Sequence, residues 1–504
     1  APTPHSRHHR TPEARMPTSS TPSPWDGSLF IGGAFVPAEN GRTCVVLDKA
    51  RQEPLGSAGS ASPADMDRAV AQAALAARDW AATDFGTRAD LLRTVAERLR
   101  SRSDEFCDLI VRETGSIRGK AEYEVSGALD ELHQAAGLAG AATSETLPSR
   151  APGRESVAER VPLGVIGVIT PWNFPLVLAM RVLAPALATG NAVVLKPSPH
   201  TPLSGGLLLA DLFASAGLPA GVLQVVPGEQ DAGEALTAHP GTAMVHFTGS
   251  SAVGRAIARD AGSRLKKVSL ELGGNNSLIV LEDADLDQAG AIGAWSSFHY
   301  QGQTCITAGR HIVLRPVYDR YVADLAARAA RITVGDPAED GTGLGPLIST
   351  QQRDRARDLL AGAVEAGAHV VEGGGCEGLF HRPTVVTGVT PDMALWTEEI
   401  FAPIAPVMVV DSEEEAVAVA NETEYGLVDA IVTGDPERGR RLARRLGSAM
   451  AHVNDTTCLD EAGAPFGGRR ASGLGGRSGG ESNLHEYTEL RWLTVQHQPV
   501  AYPY

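Results

Sequence analysis

Four short runs, GVIGVIT (residues 164–170), NAVVLKP (191–197), GVLQVVPG (221–228) and AMVHFTG (243–249), decide the fold class. Each is rich in β-branched residues, and each gap between them holds ten or more residues in an Ala/Leu-rich helical pattern. Strands alternating with helices at this spacing predict a parallel, doubly wound α/β sheet with right-handed crossovers. Both faces of such a sheet are covered, so its strands read as nearly continuous apolar runs. Ligands bind at the carboxyl ends of the strands, so the loop after each run is the first place to look for chemistry.

Working outward, residues 25–56 read as short strands and turns, LFIGGAFVP and then TCVVLD. Ser62-Pro63-Ala64-Asp65 has the signs of a helix start: a capping serine, a proline at the first helical position and an acid in the first turn. Three helical stretches then run to about residue 140, and residues 141–161 turn to Ser, Pro, Gly and Arg, an extended arm. A second α/β series begins after Gly274 and reaches about residue 470, and YTELRWLTV (487–495) closes the chain as a strand. Residues 161–180 carry no formal charge and are numerous enough to span a bilayer. They include Pro162, Pro171, Pro175 and Asn173, which break helical hydrogen bonding or demand polar partners. The segment reads instead as a buried strand, a loop and a helix start, with no membrane span.

The 504 residues are too many for one small core and predict two or three domains. A net charge of −16 argues against a nucleic-acid surface, which needs clustered cations. Five cysteines, odd in number and never spaced as CxxC, fit a reducing cytoplasm better than a disulfide framework or a zinc site. Residues 1–24, rich in Pro, Ser, Thr and His, read as a disordered leader with Met16 as a candidate translation start. Its HxxHH spacing could hold a metal weakly, but a solvated tail is the preferred reading, and no metal is expected.

Three segments could carry chemistry. In TPWNFP (170–175) Asn173 sits in an apolar stretch, either as a turn-stabilising amide or as a donor aimed at developing negative charge. In LELGG (270–274) Glu271 is either a paired structural acid or a general base whose pKa burial raises. In QGQTC (301–305) Cys305 alone is more often an inert core residue than a nucleophile.

Context reverses that last prior. TPWNFP, LKPS, FTGSSAVG, LELGGNN, GQTC, EEIFAP and PFGG, taken in this order and spacing from about residue 25 to the C-terminus, resemble the aldehyde dehydrogenase superfamily. The resemblance implies a Rossmann-type cofactor domain (25–140 and 162–273), a catalytic domain (274–480) and a small bridging β element (141–161 and 481–504). It implies that Cys305 takes the aldehyde covalently, that Asn173 and the Cys305 backbone N–H hold the oxyanion, and that Glu271 activates the water that frees a carboxylic acid. NAD is the implied coenzyme, with NADP possible. Its contacts would come from Thr170, Pro171, Trp172, Lys196, Gly249, Ser250, Gly254, Leu272, Glu399 and Phe401, the FTGSSAVG turn bringing a helix N-terminus to the pyrophosphate. Family members pair the bridging element across subunits, so a homodimer or homotetramer is implied, with a small-molecule aldehyde as the other partner.

The helix after the TPWNFP loop, the stretch NDTTCLDEAGAPFGG and the C-terminal EYTELRWLTV resemble the benzaldehyde, vanillin and salicylaldehyde branch, most of all the benzaldehyde type. Leu178, Trp295, Phe298, Tyr300 and Leu459 are the candidate walls of an apolar, ring-shaped slot; ordinary core packing is the competing reading for each. Pro199 stands where many members carry a ribose-binding Glu, Ala402 replaces a usual Gly, and Gly476-Arg477 replaces Arg-Glu. The alternatives are a CoA-acylating semialdehyde dehydrogenase, against which Glu271 argues, and a non-enzymatic crystallin-like member, against which the intact Cys305, Glu271 and Asn173 argue.

Overall fold

A computed structural model of the chain describes residues 23–141 and 144–504. The expected leader therefore falls almost wholly outside the described residues.

The four runs that open the sequence argument, and a fifth, form one parallel core: β1 (Val165–Ile169), β2 (Ala192–Lys196), β3 (Leu223–Val225), β4 (Met244–Gly249) and β5 (Lys267–Leu272). Their order is β3-β2-β1-β4-β5, with Ser28–Ile31 and Ala34–Pro37 added at the β3 edge and Gly473–Leu474 pairing antiparallel to β5. The order reverses between β1 and β4, so the loops after these two strands diverge and leave a crevice. Those loops are TPWNFP and the start of FTGSSAVG.

Helices cover both faces. On one, α1 (Pro63–Ala82) sets Met66, Ala69, Val70 and Ala73 against Val165, Ala192 and Val194. Its N-terminus is a capping box: the Asp65 N–H donates to the Ser62 hydroxyl at 3.2 Å and the Ser62 N–H donates to the Asp65 carboxylate at 3.0 Å. Downstream come α2 (Phe85–Ser101), α3 (Ser103–Thr114) and α4 (Arg118–Leu138), so the run to residue 138 holds four helices rather than three. Arg102, at φ −110° and ψ 16°, divides α2 from α3, a kink of one residue that leaves the hydrophobic period intact and so leaves no mark in the sequence. On the other face of the sheet α5 (Pro175–Ala188) is almost wholly buried and packs with Ile166, Val168, Val193 and Leu195. Residues 161–180 are thus the end of one strand, the strand β1, a loop and a helix start. No helix among the described residues is long and apolar enough to cross a membrane.

Only Gly273, Gly274 and Asn275 separate β5 from β6 (Asn276–Val280), a central strand of the second sheet. That sheet adds β7 (Ala308–Leu314), β8 (Thr384–Thr387), β9 (Ile404–Val410), β10 (Val428–Val432) and β11 (Met450–Val453) in the order β8-β9-β7-β6-β10-β11, all parallel, with His369–Glu372 antiparallel at the β8 edge. Two doubly wound cores are therefore joined by a three-residue link, and their strand ends meet at a common seam. The arm and the closing strand pair with each other: Arg154–Pro162 lies between Ser144–Thr146 and Thr488–Gln496, in register from Thr488 opposite Pro162 to Gln496 opposite Arg154.

Candidate active site

Three cavities follow one another along the seam. The first, about 730 Å³, is lined by Lys196 at the end of β2 and by residues of the helix α6 (Ser251–Ser263). The second, about 450 Å³, shares Ala252 with it and reaches Asn173, Glu271 and Cys305. The third, about 310 Å³, shares Leu178 and Cys305 with the second and runs on among Phe174, Val177, Ile306 and Phe466. Cys305 stands at the junction of a polar cleft and an apolar slot.

A left-handed turn places it there. Tyr300, Gln301 and Gly302 have φ of 49°, 55° and 65° in succession, a conformation that costs a non-glycine residue about 1–3 kcal/mol unless its surroundings enforce it. The enforcement is visible. The Gln301 amide donates to Gly115 O at 3.0 Å and Pro346 O at 2.8 Å, and Ile348 N–H donates to the Gln303 side chain at 2.9 Å. Gly302 has no room for a side chain, since a Cβ would come within 2.3 Å of Ala402 O. The Asn276 amide then donates to both Cys305 O (2.9 Å) and Thr307 O (2.7 Å), fixing the cysteine from the far side.

Burial, with the Glu399 and Glu271 charges added, pushes the Cys305 thiol well above its ordinary value, so it rests protonated. Asn173 donates one amide hydrogen to Gln303 O at 3.1 Å, which orients the group towards the cysteine loop, while its Oδ1 is buried without a partner. Glu271, near the end of β5, is buried, and burial lifts its carboxyl to about 8 against the pull of Arg181 and Arg477. The glycines of PFGG make room for it: a Cβ on Gly467, where φ is 149°, would lie 2.7 Å from Glu271 Oε1. One carboxylate oxygen, Oε2, has no partner among the described residues.

On the cleft side, Gly274 N–H donates to Glu399 Oε1 at 3.0 Å, and a Cβ on Gly273 would collide with the same carboxylate at 2.2 Å. Phe401 holds φ at 56°, its carbonyl accepting from the Gln352 amide at 2.9 Å, and its ring meets Trp172 edge-on at 5.5 Å. Ser250 caps α6, its hydroxyl accepting Val253 N–H at 3.4 Å, and Gly249, Ser250 and Leu272 line the cleft with Pro171 and Trp172. Lys196 Nζ is buried, reaches among the described residues only Pro197 O at 3.5 Å, and is lowered by burial to about 8.

Five residues sit elsewhere than the sequence suggested. Thr170 does not line the cleft: it is buried, and its N–H continues the β1–β2 ladder to Lys196 O at 3.2 Å. Gly254 is buried against Leu272, where a Cβ would meet Cδ2 at 2.5 Å, so it sets how closely α6 packs on β5 rather than facing the cleft. Phe298 packs in the core under the second sheet with Leu278 and Val280. Tyr300 is turned inward by its left-handed backbone, 5.5 Å edge-on to Phe174, with its hydroxyl donating to Thr114 O. Leu459 is half-buried outside the slot, although its neighbours Cys458 and Asp460 line it. Leu178 and Trp295 do line the slot, Trp295 stacked 4.4 Å from His299.

The profile of the aldehyde dehydrogenase family matches residues 35–493. The chain belongs to the aldehyde dehydrogenase family. It is 47% identical to a vanillin dehydrogenase from Amycolatopsis sp. over 95% of its length and 98% of the relative's. It is also 47% identical to the NAD(+) benzaldehyde dehydrogenase of Pseudomonas putida, with the same shares covered. The crystal structure of betaine aldehyde dehydrogenase from Staphylococcus aureus in complex with NAD+ superposes with a TM-score of 0.93 at 29% identity, over 95% of this chain and 97% of that one. The fold of the enzyme is the family's, and its motifs converge on one site.

Sequence reasoning passed over the groups that support that site from behind. Lys120 and Glu124 are a fully buried ion pair on α4, and Lys120 Nζ donates to Asn173 O at 2.6 Å. Glu124 accepts Leu176 N–H at 3.0 Å and so caps α5. The usable signal was a lysine and a glutamate four apart on the buried side of a helix, in a chain where five of the 44 cations are lysines. Arg181, buried on α5, is likewise invisible as a site residue because its partners Glu131 and Asp460 lie far off in sequence.

The raised Glu271 carboxyl has a consequence for stability. Between about pH 4.5 and 8 the folded chain keeps a proton that the unfolded chain releases, so this group's contribution falls as pH rises through that window. Glu271→Gln removes the ionisation. Its thermal midpoint should gain on the parent's as pH rises from 5 to 9 by differential scanning fluorimetry; the same difference at both pH values would contradict the burial effect.

Proposed function

We propose that this enzyme oxidises aromatic aldehydes of the benzaldehyde type to carboxylic acids with NAD, using Cys305 as nucleophile, Asn173 as oxyanion donor and Glu271 as base. The observation that carries the reading is the position of Cys305, which alone with Leu178 belongs both to the cleft of Trp172, Ser250 and Glu399 and to the apolar slot. The thiol gives up its proton to solvent as sulfur bonds the aldehyde carbon and the carbonyl electron pair moves onto oxygen, since burial disfavours a standing thiolate. The second amide hydrogen of Asn173, with the backbone N–H of Cys305, holds the oxygen on which charge develops. When bound, the nicotinamide supplies the hydride acceptor that no side chain provides. Glu271, ionised as pH approaches 8, then takes a proton from the water that attacks the thioester, and the acid leaves Cys305 free.

The residues present fit that coenzyme. A buried ammonium with one weak partner suits ribose hydroxyls, and an uncovered helix N-terminus suits a pyrophosphate. The exposed face of Thr488–Gln496, with Leu490 and Trp492 open to solvent, supports self-association into a homodimer or homotetramer by covering a strand edge. Five cysteines free of disulfides support a reducing, cytoplasmic location.

Single-turnover kinetics test the mechanism. Glu271→Gln should release about one equivalent of NADH per site and then stall, Cys305→Ala should give no burst, and Asn173→Ala should slow the burst by roughly 10²–10³-fold. Steady turnover of Glu271→Gln near the parent rate would assign the base elsewhere.

The apolar slot predicts kcat/KM for benzaldehyde above that for acetaldehyde, because a ring removes far more apolar surface from water than a methyl does. Parity, or a lead for acetaldehyde, would remove the aromatic reading and leave the mechanism.

Coenzyme choice rests on charge. The first cavity is lined by Glu234 and Asp260 and by no arginine, and burial lowers His200 to about 4, leaving it neutral. A 2′-phosphate therefore meets two acids and one lysine, which disfavours it. NAD should be preferred, NADP accepted less efficiently, and Pro199→Glu should widen the gap. A higher kcat/KM for NADP in the parent enzyme would overturn this.

A further inference from the structure

Two guanidinium groups act on Glu271, and they are not equivalent. Arg181, on α5, is already held by two carboxylates: Nε donates to Glu131 Oε1 at 3.0 Å and Nη2 pairs with Asp460. Its charge at Glu271 is therefore opposed by two neighbours of the other sign. Arg477 is half-buried, makes no ion pair among the described residues, and donates from Nη1 to Gly476 O at 3.1 Å.

The PFGG loop fixes where Arg477 stands. Phe466 and Ser478 form a two-way bridge, each N–H donating to the other's carbonyl at 2.9 Å, so Arg477 is clamped beside Gly467. A Cβ on Gly467 would lie 2.7 Å from Glu271 Oε1, 2.8 Å from Arg477 Cδ and 3.4 Å from Arg477 Nη1. Carboxylate and guanidinium flank one point and are no more than about 6 Å apart, a range in which an opposite charge favours the ionised form. Gly467 has no side chain to come between them. Gly476-Arg477 is also a departure from the family's usual Arg-Glu. A Cβ on Gly476 would meet Glu486 Oε2 at 2.5 Å, so there is room for the arginine at 477 and not at 476.

The other groups around Glu271 bring no unmatched cation. Burial raises its carboxyl, Arg181, Arg477 and the Gly468 N–H oppose that, and Glu486 adds to it. Glu486, on the short helix Ser482–Glu486, is paired with Lys267 at 3.3 Å. Burial keeps the Cys305 thiol and the Tyr487 hydroxyl protonated. His246, on the neighbouring strand β4, is lowered by burial to about 3 and is neutral. Across the cavity Arg355 is matched by Glu398 and Glu399. Among the described residues, Arg477 is the cation near the base that no carboxylate balances.

We propose that Arg477 is a positioning residue for the base: from beyond Gly467 its charge favours the carboxylate form of Glu271, the form that takes a proton from water as the thioester is hydrolysed. This role rests on the reading of Glu271 as that base. It belongs to a side chain that lines none of the three cavities along the seam.

The test compares the parent with Arg477→Met, which keeps most of the bulk without the charge, and with Arg477→Lys, which keeps the charge. In pH-difference infrared spectra, the protonated-carboxyl band that Glu271→Gln lacks reports this group directly. Its midpoint should move upward by about one pH unit in Arg477→Met and stay near the parent's in Arg477→Lys. The steady rate after the NADH burst, with benzaldehyde and NAD, should fall about tenfold at pH 7 in Arg477→Met and recover towards the parent's near pH 10, where the base is ionised again. An unmoved midpoint in Arg477→Met would overturn the proposal. So would a rate loss of equal size at every pH, which a merely structural role gives, or the same upward movement in Arg477→Lys. Arg477→Gln serves as the neutral variant where Arg477→Met does not fold. Failure of the base assignment itself is seen separately, as steady turnover of Glu271→Gln.

Discussion

Three consecutive left-handed residues, Tyr300, Gln301 and Gly302, hold Cys305 at the seam of two sheets, and the rest of the site is arranged around that turn. Such a turn does not persist by itself. It is kept by Gln301 bonded to the loop after α3 on one side and to the loop at Pro346 on the other, so the two halves of the molecule jointly enforce it. The short link of Gly273, Gly274 and Asn275 brings Glu271 to the same seam, because the strand that carries it runs almost directly into the second sheet. Positioning within fractions of an ångström is what turns separate groups into a catalyst, and here it comes from packing of the whole chain against one strained turn.

The same seam is electrostatically costly. It buries a lysine–glutamate pair, an arginine between two carboxylates, a lone glutamate and a thiol. Buried pairs of this kind seldom add net stability, because desolvation offsets their attraction. Their effect is on position and protonation. Lys120 fixes the carbonyl of Asn173, Glu124 caps the helix that follows it, and burial holds Glu271 in the range where a base can work near neutral pH. Among the buried side-chain atoms with no partner among the described residues are Glu271 Oε2 and Asn173 Oδ1, whose residues line the cavity that holds Cys305.

Glycine decides much of the local fit. Gly273 and Gly467 make space for Glu399 and Glu271, and neither position tolerates a Cβ at its present distance. The LELGG and PFGG motifs are therefore packing requirements of two carboxylates as much as turn signals.

The parallel sheets, the capping of α1, the strand, loop and helix start of the uncharged stretch, and the candidate residues Cys305, Glu271 and Asn173, which line one cavity, could all be read from the sequence. Each is written in local terms: alternation of apolar runs, a Ser-x-x-Asp box, prolines in an uncharged stretch, motifs in a fixed order. The kink at Arg102 could not be read, since it leaves the helical period undisturbed, nor could the directions of Phe298, Tyr300 and Leu459, where aromatic or apolar character fits a slot wall and a core equally well. Only the tertiary structure decided which of them faced the slot, because that depends on backbone dihedrals set by distant partners. It likewise decided that Arg181, Glu131 and Asp460 form one cluster, since charges separated by up to hundreds of residues become neighbours only when two sheets close on each other and exclude water from between them.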